Sequence, residues 1–455
     1  MKQDPFTTDD ISSNTADDLS RAFTNFSTPP DNNERRSTVI IGAGIIGCAT
    51  AHYLSRSQNT RPDTIHLLEA SPELFSSASG KSGGFVAEDW FGPATASLGS
   101  LSFRLHQELA DEFGGHDEWG YSRSTGTSLV DGGGNEGEDW LVEGGSRAQA
   151  AGVHEYTGHD TGPSWLKRRK GDTVETLSEP GGVAQVDPLR LCQFLLKQAI
   201  LQGVRLHNPA RAVRVARDEE GNLSGLRIKH SNGTQFKIPC TRLLITAGAW
   251  TPQVFDELFP NASLSIPVTP LAGHSLVVRS PRWTKQHEDE AKGCHAIFTT
   301  VSEKSGSFSP EIFSRVGGEI YIAGLNSDTI ALPESPEKAV IDKAAVEELK
   351  KVAETFLGKD GTDVSDLEVV REGLCFRPVT RRGVPILTKI RDEQLNAAGV
   401  GDRGIKTLES PDGGVYVCAG HGPWGISLGL GTGKVLSELL EGEKLSADVR
   451  GLRMQ

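Results

Sequence analysis

The sequence predicts an α/β fold, in which a parallel sheet wound with helices is joined to a second domain of α+β type. The ordered part begins with Thr38–Ile41, a β-branched run followed by closely spaced glycines and a helical apolar pattern. Apolar runs at 65–70 and 242–250 have the length and composition of further buried strands. Two more runs, at 274–279 and 319–325, are typical of strands in a separate sheet.

Length and charge limit the classes of function. The 455 residues carry 47 Lys+Arg against 60 Asp+Glu, a net charge of −13. This length is enough for two or three domains. Binding to nucleic acid depends on Lys and Arg that neutralise phosphates, so an acidic chain argues against such a partner. No apolar run approaches the roughly 18 residues of a membrane-spanning helix, so we expect no membrane span.

Cysteine usage and the two termini indicate a compartment. The six cysteines are scattered, with no C-x-x-C pair, which argues against a disulfide scaffold or a metal cluster and favours a reducing environment. The first ten residues, MKQDPFTTDD, lack the apolar stretch of a secretory signal. The last three, RMQ, are not the S-K-L peroxisomal signal. These observations predict a cytoplasmic protein without a metal.

The first third of the chain contains two polar stretches. Residues 1–36 are rich in Asp, Asn, Ser, Thr and Pro without apolar periodicity, which predicts a disordered tail. Leucines spaced along 101–113 predict an amphipathic helix. The polar, glycine-rich stretch at about 131–150 predicts a surface excursion.

Helix signals and alternating patterns define the rest. Asp187-Pro188 predicts the start of a helix that ends at Gly203, because Asp is a good N-cap and Pro fits the first helical position. The pattern of 204–230 is typical of a meander of strands. The clearest helical pattern spans 336–357, and residues 414–442 predict a strand, a glycine-rich turn and a helix.

The first motif with chemical content is Gly42-x-Gly44-x-x-Gly47, between a strand and a helix. The first glycine permits a tight turn, the second lets the backbone approach a pyrophosphate, and the third lets helix and strand pack closely. The helix N-terminus adds free N–H groups and a positive dipole end. Glu69 lies 22 residues after Gly47, at the end of the next strand, where a carboxylate can bind ribose hydroxyls. An acid there argues against a 2′-phosphate and hence against NADP.

Two further segments contain many small residues. The run SSASGKSGG (76–84) predicts a loop whose backbone N–H groups face a flat or anionic ligand, with Ser79, Lys81 and Ser82 as added donors. The alternative for this run is a flexible linker. A second glycine-rich turn, at 419–436, precedes an apolar helix and provides a second helix N-terminus able to hold partial negative charge. Its position implies a large cofactor held from both ends of the sequence.

Five segments follow one another along the chain: VIIGAGIIGCATAHYL, VDPLRLCQFLLKQAILQGVRL, LLITAGAW, CFRPVTRRGVPIL and GHGPWGISLGLGTGKVL. They occur in the order seen in FAD-dependent oxidoreductases of the D-amino-acid oxidase and glycine oxidase family, which the chain resembles over about residues 37–445. With SASGKSGGFVAEDW, the chain is most similar to fungal members with poorly defined substrates. The resemblance implies a Rossmann-type FAD-binding domain and a mixed-sheet substrate domain. Their segments would be 37–103, 182–266 and 368–445 for the first, and 104–181 and 267–367 for the second.

The resemblance also implies which residues contact FAD. The glycine turn would hold the pyrophosphate, Glu69 the adenosine ribose and Val213 the adenine, while the last glycine-rich turn would approach the isoalloxazine ring. Together the motifs and the resemblance predict these cofactor contacts: Gly42, Ala43, Gly44, Ile45, Ile46, Gly47, Glu69, Ala70, Ser79, Gly80, Lys81, Ser82, Gly83, Gly84, Val213, Ala247, Gly248, Trp250, Cys375, His421, Gly422, Pro423, Trp424, Gly425 and Ile426.

Two residues of CFRPVTRRGVPIL have implied roles of their own. Arg377 matches the position at which amino-acid oxidases of the family bind the substrate carboxylate, which a guanidinium can do with two parallel hydrogen bonds. The alternative is an arginine paired with a structural carboxylate. Cys375 matches the position at which sarcosine-oxidase relatives attach FAD covalently, although the Arg-Pro that follows is typical of enzymes without that bond. We expect non-covalent FAD, with a thioether to Cys375 as the alternative.

The implied activity is oxidation of a C–N bond in a small amine or amino acid, by hydride transfer to flavin N5, giving an imine that hydrolyses. The acceptor of the electrons would be O2 or another molecule. Residues 320–329 contain no lysine to match the one that assists oxygen activation in the sarcosine branch, so oxidase and dehydrogenase both stay open.

His274 and His421 are expected to be structural or flavin contacts. Two alternatives are an FAD dehydrogenase for a non-amine substrate and a flavin-binding protein with a non-catalytic trafficking or assembly role. The sequence does not predict the oligomeric state.

Overall fold

The computed structural model describes residues 36–130, 162–168, 172–178, 181–303, 306–359, 363–397 and 404–454. Within these ranges the chain forms three sheets and nine α-helices. The predicted tail, except for Arg36, and the predicted excursion at 131–150 lie outside the described residues.

A six-stranded sheet contains the first strand–turn–helix unit. In spatial order its strands are β18 (Ile386–Ile390), β19 (Gly414–Ala419), β11 (Arg242–Ile245), β1 (Thr38–Ile41), β2 (Ile65–Leu68) and β7 (Arg205–His207). Neighbouring strands are parallel except β18, which pairs antiparallel with β19. The central strands are buried and apolar, as expected for a parallel sheet covered on both faces.

Helices on one face of this sheet enclose the largest group of core residues. The predicted helix after Asp187 is confirmed, since the Asp187 side chain accepts hydrogen bonds from the backbone N–H groups of Leu189 and Arg190 and the helix ends at Gly203. The second long helix predicted here is also found, although it begins at Ala96 rather than at residue 101. These helices are α1 (Ile45–Ser55), α3 (Ala96–Phe113), α4 (Gly115–Trp119), α5 (Pro188–Gln202) and α9 (Gly425–Glu441).

The largest sheet has ten strands and is mixed. In spatial order it contains β17 (Glu368–Val379), β12 (Thr269–Arg279), β16 (Glu319–Ser327), β15 (Glu311–Arg315), β13 (Cys294–Glu303), β4 (Ser122–Val130), β6 (Val183–Gln185) and β3 (Phe85–Ala87). Two further strands, β14 (Gly306–Phe308) and β5 (Thr173–Ser178), pair with β13 and β4. The pairing is antiparallel except between β13 and β4.

A smaller antiparallel meander covers the other face of the six-stranded sheet and shares an apolar core with it. Its strands are β8 (Ala210–Arg217), β9 (Leu223–His230) and β10 (Gln235–Pro239). The remaining helices are α2 (Ala78–Lys81), α6 (Thr251–Leu258), α7 (Lys285–Ala291) and α8 (Lys343–Leu357), and α8 packs on the mixed sheet.

The start of α8 differs from the sequence prediction. The helix predicted at 336–357 begins only at Lys343, because Asp342 accepts a hydrogen bond from the Ala344 N–H and caps it, and the predicted first turns are a short 3-10 helix and a loop.

The division into domains stays a prediction. In the structure β17 pairs with β12 along its length, so residues 368–379 form part of the mixed sheet.

No helix in the described part of the chain is long and apolar enough to cross a membrane. Nor do the described His, Cys, Asp and Glu side chains form a group of three or more that could hold a metal ion. The six cysteines are buried and form no disulfide.

Candidate functional site

A cavity of about 860 Å³ is lined by residues from all three sheets. Most of the predicted site residues line it. The exceptions are Ala43, Gly47, Gly80, Lys81, Val213 and Trp424. The predicted residues that do line it are Gly42, Gly44, Ile45, Ile46, Glu69, Ala70, Ser79, Ser82, Gly83, Gly84, Ala247, Gly248, Trp250, Cys375, Arg377, His421, Gly422, Pro423, Gly425 and Ile426.

The turn between β1 and α1 leaves no room for side chains at its first and third glycines. Gly42 has a φ of 104°, and its N–H donates to the Leu68 carbonyl at 2.8 Å. A Cβ on Gly42 would lie 2.6 Å from the carbonyl oxygen of Thr246, at the end of β11. A Cβ on Gly47 would overlap the Gly42 carbonyl oxygen. The glycines therefore allow α1 to start directly against the ends of β1 and β11.

The N-terminus of α1 meets the small-residue run. No side chain caps the helix at Gly44, and the Ile45 N–H donates to the Ser79 Oγ at 2.9 Å. A Cβ on Gly44 would lie 2.9 Å from the same oxygen. A hydroxyl that accepts one hydrogen bond can still donate its own proton, so Ser79 can serve an anion at this helix end.

Glu69 ties the glycine turn to the end of β2. Its Oε2 accepts from the Ala43 N–H at 3.1 Å and its Oε1 from the Ser71 N–H at 2.9 Å. Burial raises the pKa of the Glu69 carboxyl, and these backbone hydrogen bonds act in the opposite direction. A carboxylate offers about four acceptor sites, so Glu69 can also accept from ligand hydroxyls.

The run at 76–84 is a fixed part of the fold rather than a linker. Gly83, which follows the short helix α2, packs against the Phe313 ring. A Cβ on Gly83 would lie 2.7 Å from that ring. Gly84 has a φ of 89°, and a Cβ there would overlap the Val186 carbonyl oxygen. The loop is thus pressed between the mixed sheet and the start of α5.

A buried arginine of the mixed sheet holds this loop. Arg315 on β15 donates through Nη2 to the carbonyl oxygens of Ser82 at 2.6 Å and Gly83 at 2.9 Å. Gln185 donates to the same Gly83 oxygen at 2.6 Å. The Arg315 guanidinium also lies 5.0 Å from the centre of the Tyr321 ring. Burial lowers the pKa of Arg315.

The second glycine-rich turn, between β19 and α9, forms the opposite wall. Gly422 has a φ of 55°, and no side chain caps α9 at Trp424. His421 is buried, and its Nε2 lies 3.2 Å from the Thr432 Oγ1. Burial lowers the pKa of His421 to about 4, so its ring is neutral near pH 7.

Arg377 lies at the end of the cavity that faces the mixed sheet. Its Nη1 donates to the Asn326 Oδ1 on β16. Tyr321 lines the same end, and burial raises the pKa of its hydroxyl to about 12, which keeps it neutral. Cys375 is buried and lines the cavity two residues before Arg377 on β17.

His274 does not line the cavity. Its Nε2 accepts from the Asp342 N–H at 3.1 Å, and burial lowers the pKa of its imidazole. This histidine therefore supports the start of α8, in line with the structural role expected for it.

Several residues that line the cavity belong to no sequence motif. Glu311 and Tyr321 are single buried side chains of the mixed sheet. Val213 was expected near the adenine, and its neighbours Ala210, Arg211 and Ala212 line the cavity.

The loop at 332–338 was also missed. The Trp250 Nε1–H donates to the Pro333 carbonyl at 2.8 Å, and the Ser71 Oγ donates to the Glu337 Oε2 at 3.0 Å. These bonds hold the loop over the cavity beside Glu69. Two prolines between a strand and a helix were the available sign of such an ordered loop.

Comparison with family models identifies one family over most of the chain. The model for FAD-dependent oxidoreductases (DAO) matches residues 37–439. A putative oxidoreductase of Schizosaccharomyces pombe is 29% identical over 433 residues, which cover 91% of this chain and 96% of that protein.

Two solved structures share the fold. Glycine oxidase from Geobacillus kaustophilus superposes with a TM-score of 0.65 at 18% identity, covering 92% of this chain and 98% of that one. Iminodiacetate oxidase from Chelativorans sp. superposes with a TM-score of 0.61 at 20% identity, covering 91% and 98%.

Proposed function

Because the chain belongs to the family of FAD-dependent oxidoreductases (DAO), we propose that it oxidises the C–N bond of a small amine or amino acid whose carboxylate Arg377 binds. When bound, FAD supplies the redox chemistry by accepting a hydride from the carbon next to the nitrogen, which leaves an imine that water hydrolyses. The chain supplies binding, orientation and exclusion of water.

The residues of the cavity fit FAD. The turn has no space for a Cβ at Gly42 or Gly47, and Gly44 lines the cavity without a side chain, which suits a backbone that must approach a pyrophosphate closely. The Ile45 end of α1 and the Ser79 hydroxyl would bind the phosphates, and Glu69 would accept from the ribose hydroxyls. The start of α9, which no side chain caps, would face the isoalloxazine ring with its positive dipole end.

The single observation that carries the proposal is that Arg377 lines the same cavity as the Gly42 turn. A substrate held by Arg377 would therefore share one enclosed space with the cofactor held at the turn. A guanidinium keeps its charge when buried and binds a carboxylate through two parallel hydrogen bonds, which fixes orientation as well as position.

We propose that neither His421 nor Tyr321 removes a proton from the substrate amine. Both line the cavity, but His421 is a weak base because its pKa is about 4, and Tyr321 keeps its own proton because its pKa is about 12. The substrate amine would instead arrive neutral. Its pKa would then set the pH dependence of turnover, and activity should rise as pH approaches that pKa.

We also propose that FAD is held non-covalently, with Cys375 as a buried neighbour. The test is acid precipitation of the purified protein. Flavin found wholly in the supernatant supports non-covalent binding, and flavin retained in the pellet of the wild type but lost from Cys375→Ser establishes a thioether.

The proposal is tested by anaerobic titration of the purified protein with glycine, sarcosine, D-amino acids and secondary amines. We expect at least one carboxylated amine to bleach the flavin absorbance. Arg377→Ala should raise the KM for that substrate by roughly 100-fold or more, because it removes two hydrogen bonds to a charged group at about 1.5–3 kcal/mol each. Arg381→Ala is the matched control, since Arg381 is exposed and lies outside the cavity.

Four results would contradict the proposal. Protein purified without flavin would refute cofactor binding. Flavin reduced by dithionite but by no substrate would favour a non-catalytic role, and reduction by a non-amine substrate would favour a different dehydrogenase. A KM for the carboxylated amine that is equal in Arg377→Ala and Arg381→Ala would refute the role of Arg377.

A further inference from the structure

The Arg377 guanidinium is placed by residues from two other strands. Gly273 on β12 lies opposite Cys375 on β17 and opposite Asn326 on β16. Arg377 follows Cys375 by two residues, so both lie on the same face of the sheet. The Arg377 Nη1 donates to the Asn326 Oδ1, and a Cβ on Gly273 would overlap this same Nη1. The guanidinium therefore lies back over Gly273 and ends at Asn326.

We propose that Asn326 is a positioning residue, which fixes the direction in which Arg377 presents its guanidinium to a substrate carboxylate. Gly273 provides the space in which the guanidinium lies. The inference rests on the proposed function, because it assigns a role to the partner of Arg377. Asn326 belongs to 320–329, the segment that contains no lysine.

An amide suits this position better than an acid would. The Asn326 Oδ1 accepts a hydrogen bond without neutralising the arginine, whereas an aspartate would form an ion pair and compete with the substrate for the same charge. A guanidinium has five N–H donors, so a bond to Asn326 is compatible with a bidentate contact to a ligand.

Orientation is costly for an arginine without such support. Its long side chain loses rotamer freedom whenever it is held in one geometry. Contact with Asn326 in the absence of substrate means that part of this entropy is already lost before binding. The gain is tighter binding of carboxylates, with no corresponding gain for uncharged analogues.

The experiment uses purified holoenzyme and two ligands of the same shape, benzoate and benzamide, whose dissociation constants are measured by calorimetry. Asn326→Asp should weaken benzoate about tenfold or more, and Asn326→Ala by less, while benzamide binding changes little. Gly273→Ala should also weaken benzoate, since the added methyl displaces the guanidinium. Asp328→Asn is the matched control, because Asp328 is exposed and lies outside the cavity.

Flavin content and melting temperature separate this role from a structural one. If Asn326 is a positioning residue, its substitution should raise the KM for the carboxylated amine more than it lowers kcat. Flavin content and melting temperature should stay as in the wild type. Asn326→Ser, which keeps a small acceptor, should recover part of the affinity lost in Asn326→Ala.

The outcomes distinguish the role of Asn326 from that of Arg377. If Arg377→Ala weakens benzoate while Asn326→Asp and Asn326→Ala do not, Arg377 binds the carboxylate and the role of Asn326 is refuted. If the wild type does not distinguish benzoate from benzamide, or Arg377→Ala has no effect, carboxylate binding at Arg377 fails and the inference fails with it. Equal weakening of both ligands in Asn326→Asp would indicate general damage and also refutes the inference.

Discussion

The two ends of the cavity are built in different ways. At the end near Gly42, main chain packs against main chain, since a Cβ on Gly42 or Gly47 would meet a backbone carbonyl oxygen. At the end near Arg377, the surface includes side chains from strands far apart in sequence, such as Tyr321 and Arg377 itself, and Asn326 binds Arg377 from outside the lining. The first end should tolerate almost no substitution, and the second should change its ligand preference without loss of the fold.

Gly47→Ala is expected to have the largest effect on stability, because the added methyl would overlap the Gly42 carbonyl oxygen. Overpacking at a rigid main-chain contact should lower the free energy of unfolding by about 1–3 kcal/mol or more, despite the better helix propensity of alanine. Chemical denaturation and flavin content measure the two consequences. In Gly92→Ala, the control, nothing lies within 4 Å of the added methyl. Equal stability of Gly47→Ala and Gly92→Ala would show that close main-chain contacts do not limit substitution at the end of the cavity near Gly42.

Arg315→Lys tests whether the backbone end depends on the mixed sheet. A lysine keeps the charge, but its single nitrogen cannot reproduce the contacts that Nε and Nη2 together make to the Gly83 and Ser82 carbonyl oxygens. We expect a loss of about 1–3 kcal/mol in the free energy of unfolding and weaker retention of flavin on dialysis. Arg279→Lys is the control, since Arg279 is exposed on the same sheet and pairs with Glu368. Unchanged flavin retention in Arg315→Lys would mean that the two ends are independent.

The third expected effect, on the pH dependence of stability, is the smallest near neutrality. The folded pKa of His421 is about 4, below the usual 6.5, so the unfolded chain takes up a proton that the folded chain excludes. Stability should therefore fall as pH drops from about 6.5 to about 4, by up to about 3 kcal/mol from this residue. Melting temperatures between pH 4 and 7 should fall less steeply in His421→Asn.

His116 provides a control of opposite sign. Hydrogen bonds to Asp117 and Glu288 raise the pKa of His116, so its contribution to stability is present at low pH and is lost as pH rises through the raised pKa. It is largely exposed, and its effect should be small. A His116→Gln variant that reproduces the change seen in His421→Asn would show that burial at the cavity is not the cause.

The same contrast explains how much of the site could be predicted. Gly42, Gly44 and Glu69 follow from local spacing, because a strand, a turn and a helix of fixed geometry place them. Asn326 and Glu311 could not be found this way, since their positions depend on strand register within the mixed sheet. Residues 336–342 were predicted as helix, because Asp342, which caps α8, lies inside an apolar pattern that continues without interruption.

The fold class itself was accessible because strand and helix patterns differ in period. The pairing of β17 with β12, by contrast, requires knowledge of contacts across a large sequence separation. The segment that contains both Cys375 and Arg377 could thus be recognised from its sequence motif. Its pairing partner in the mixed sheet could not be predicted.

The order of strands in the six-stranded sheet has a consequence for synthesis of the protein. β1 lies between β2 and β11, and β11 in turn pairs with β19, which is made roughly 370 residues after β1. At about 5–20 residues per second, a ribosome needs roughly 20–75 seconds to add them. During that time the nascent chain has the glycine turn but neither α9 nor the far wall of the cavity. Under the proposed function, the cavity can therefore hold flavin at both ends only after β19 and α9 have been made.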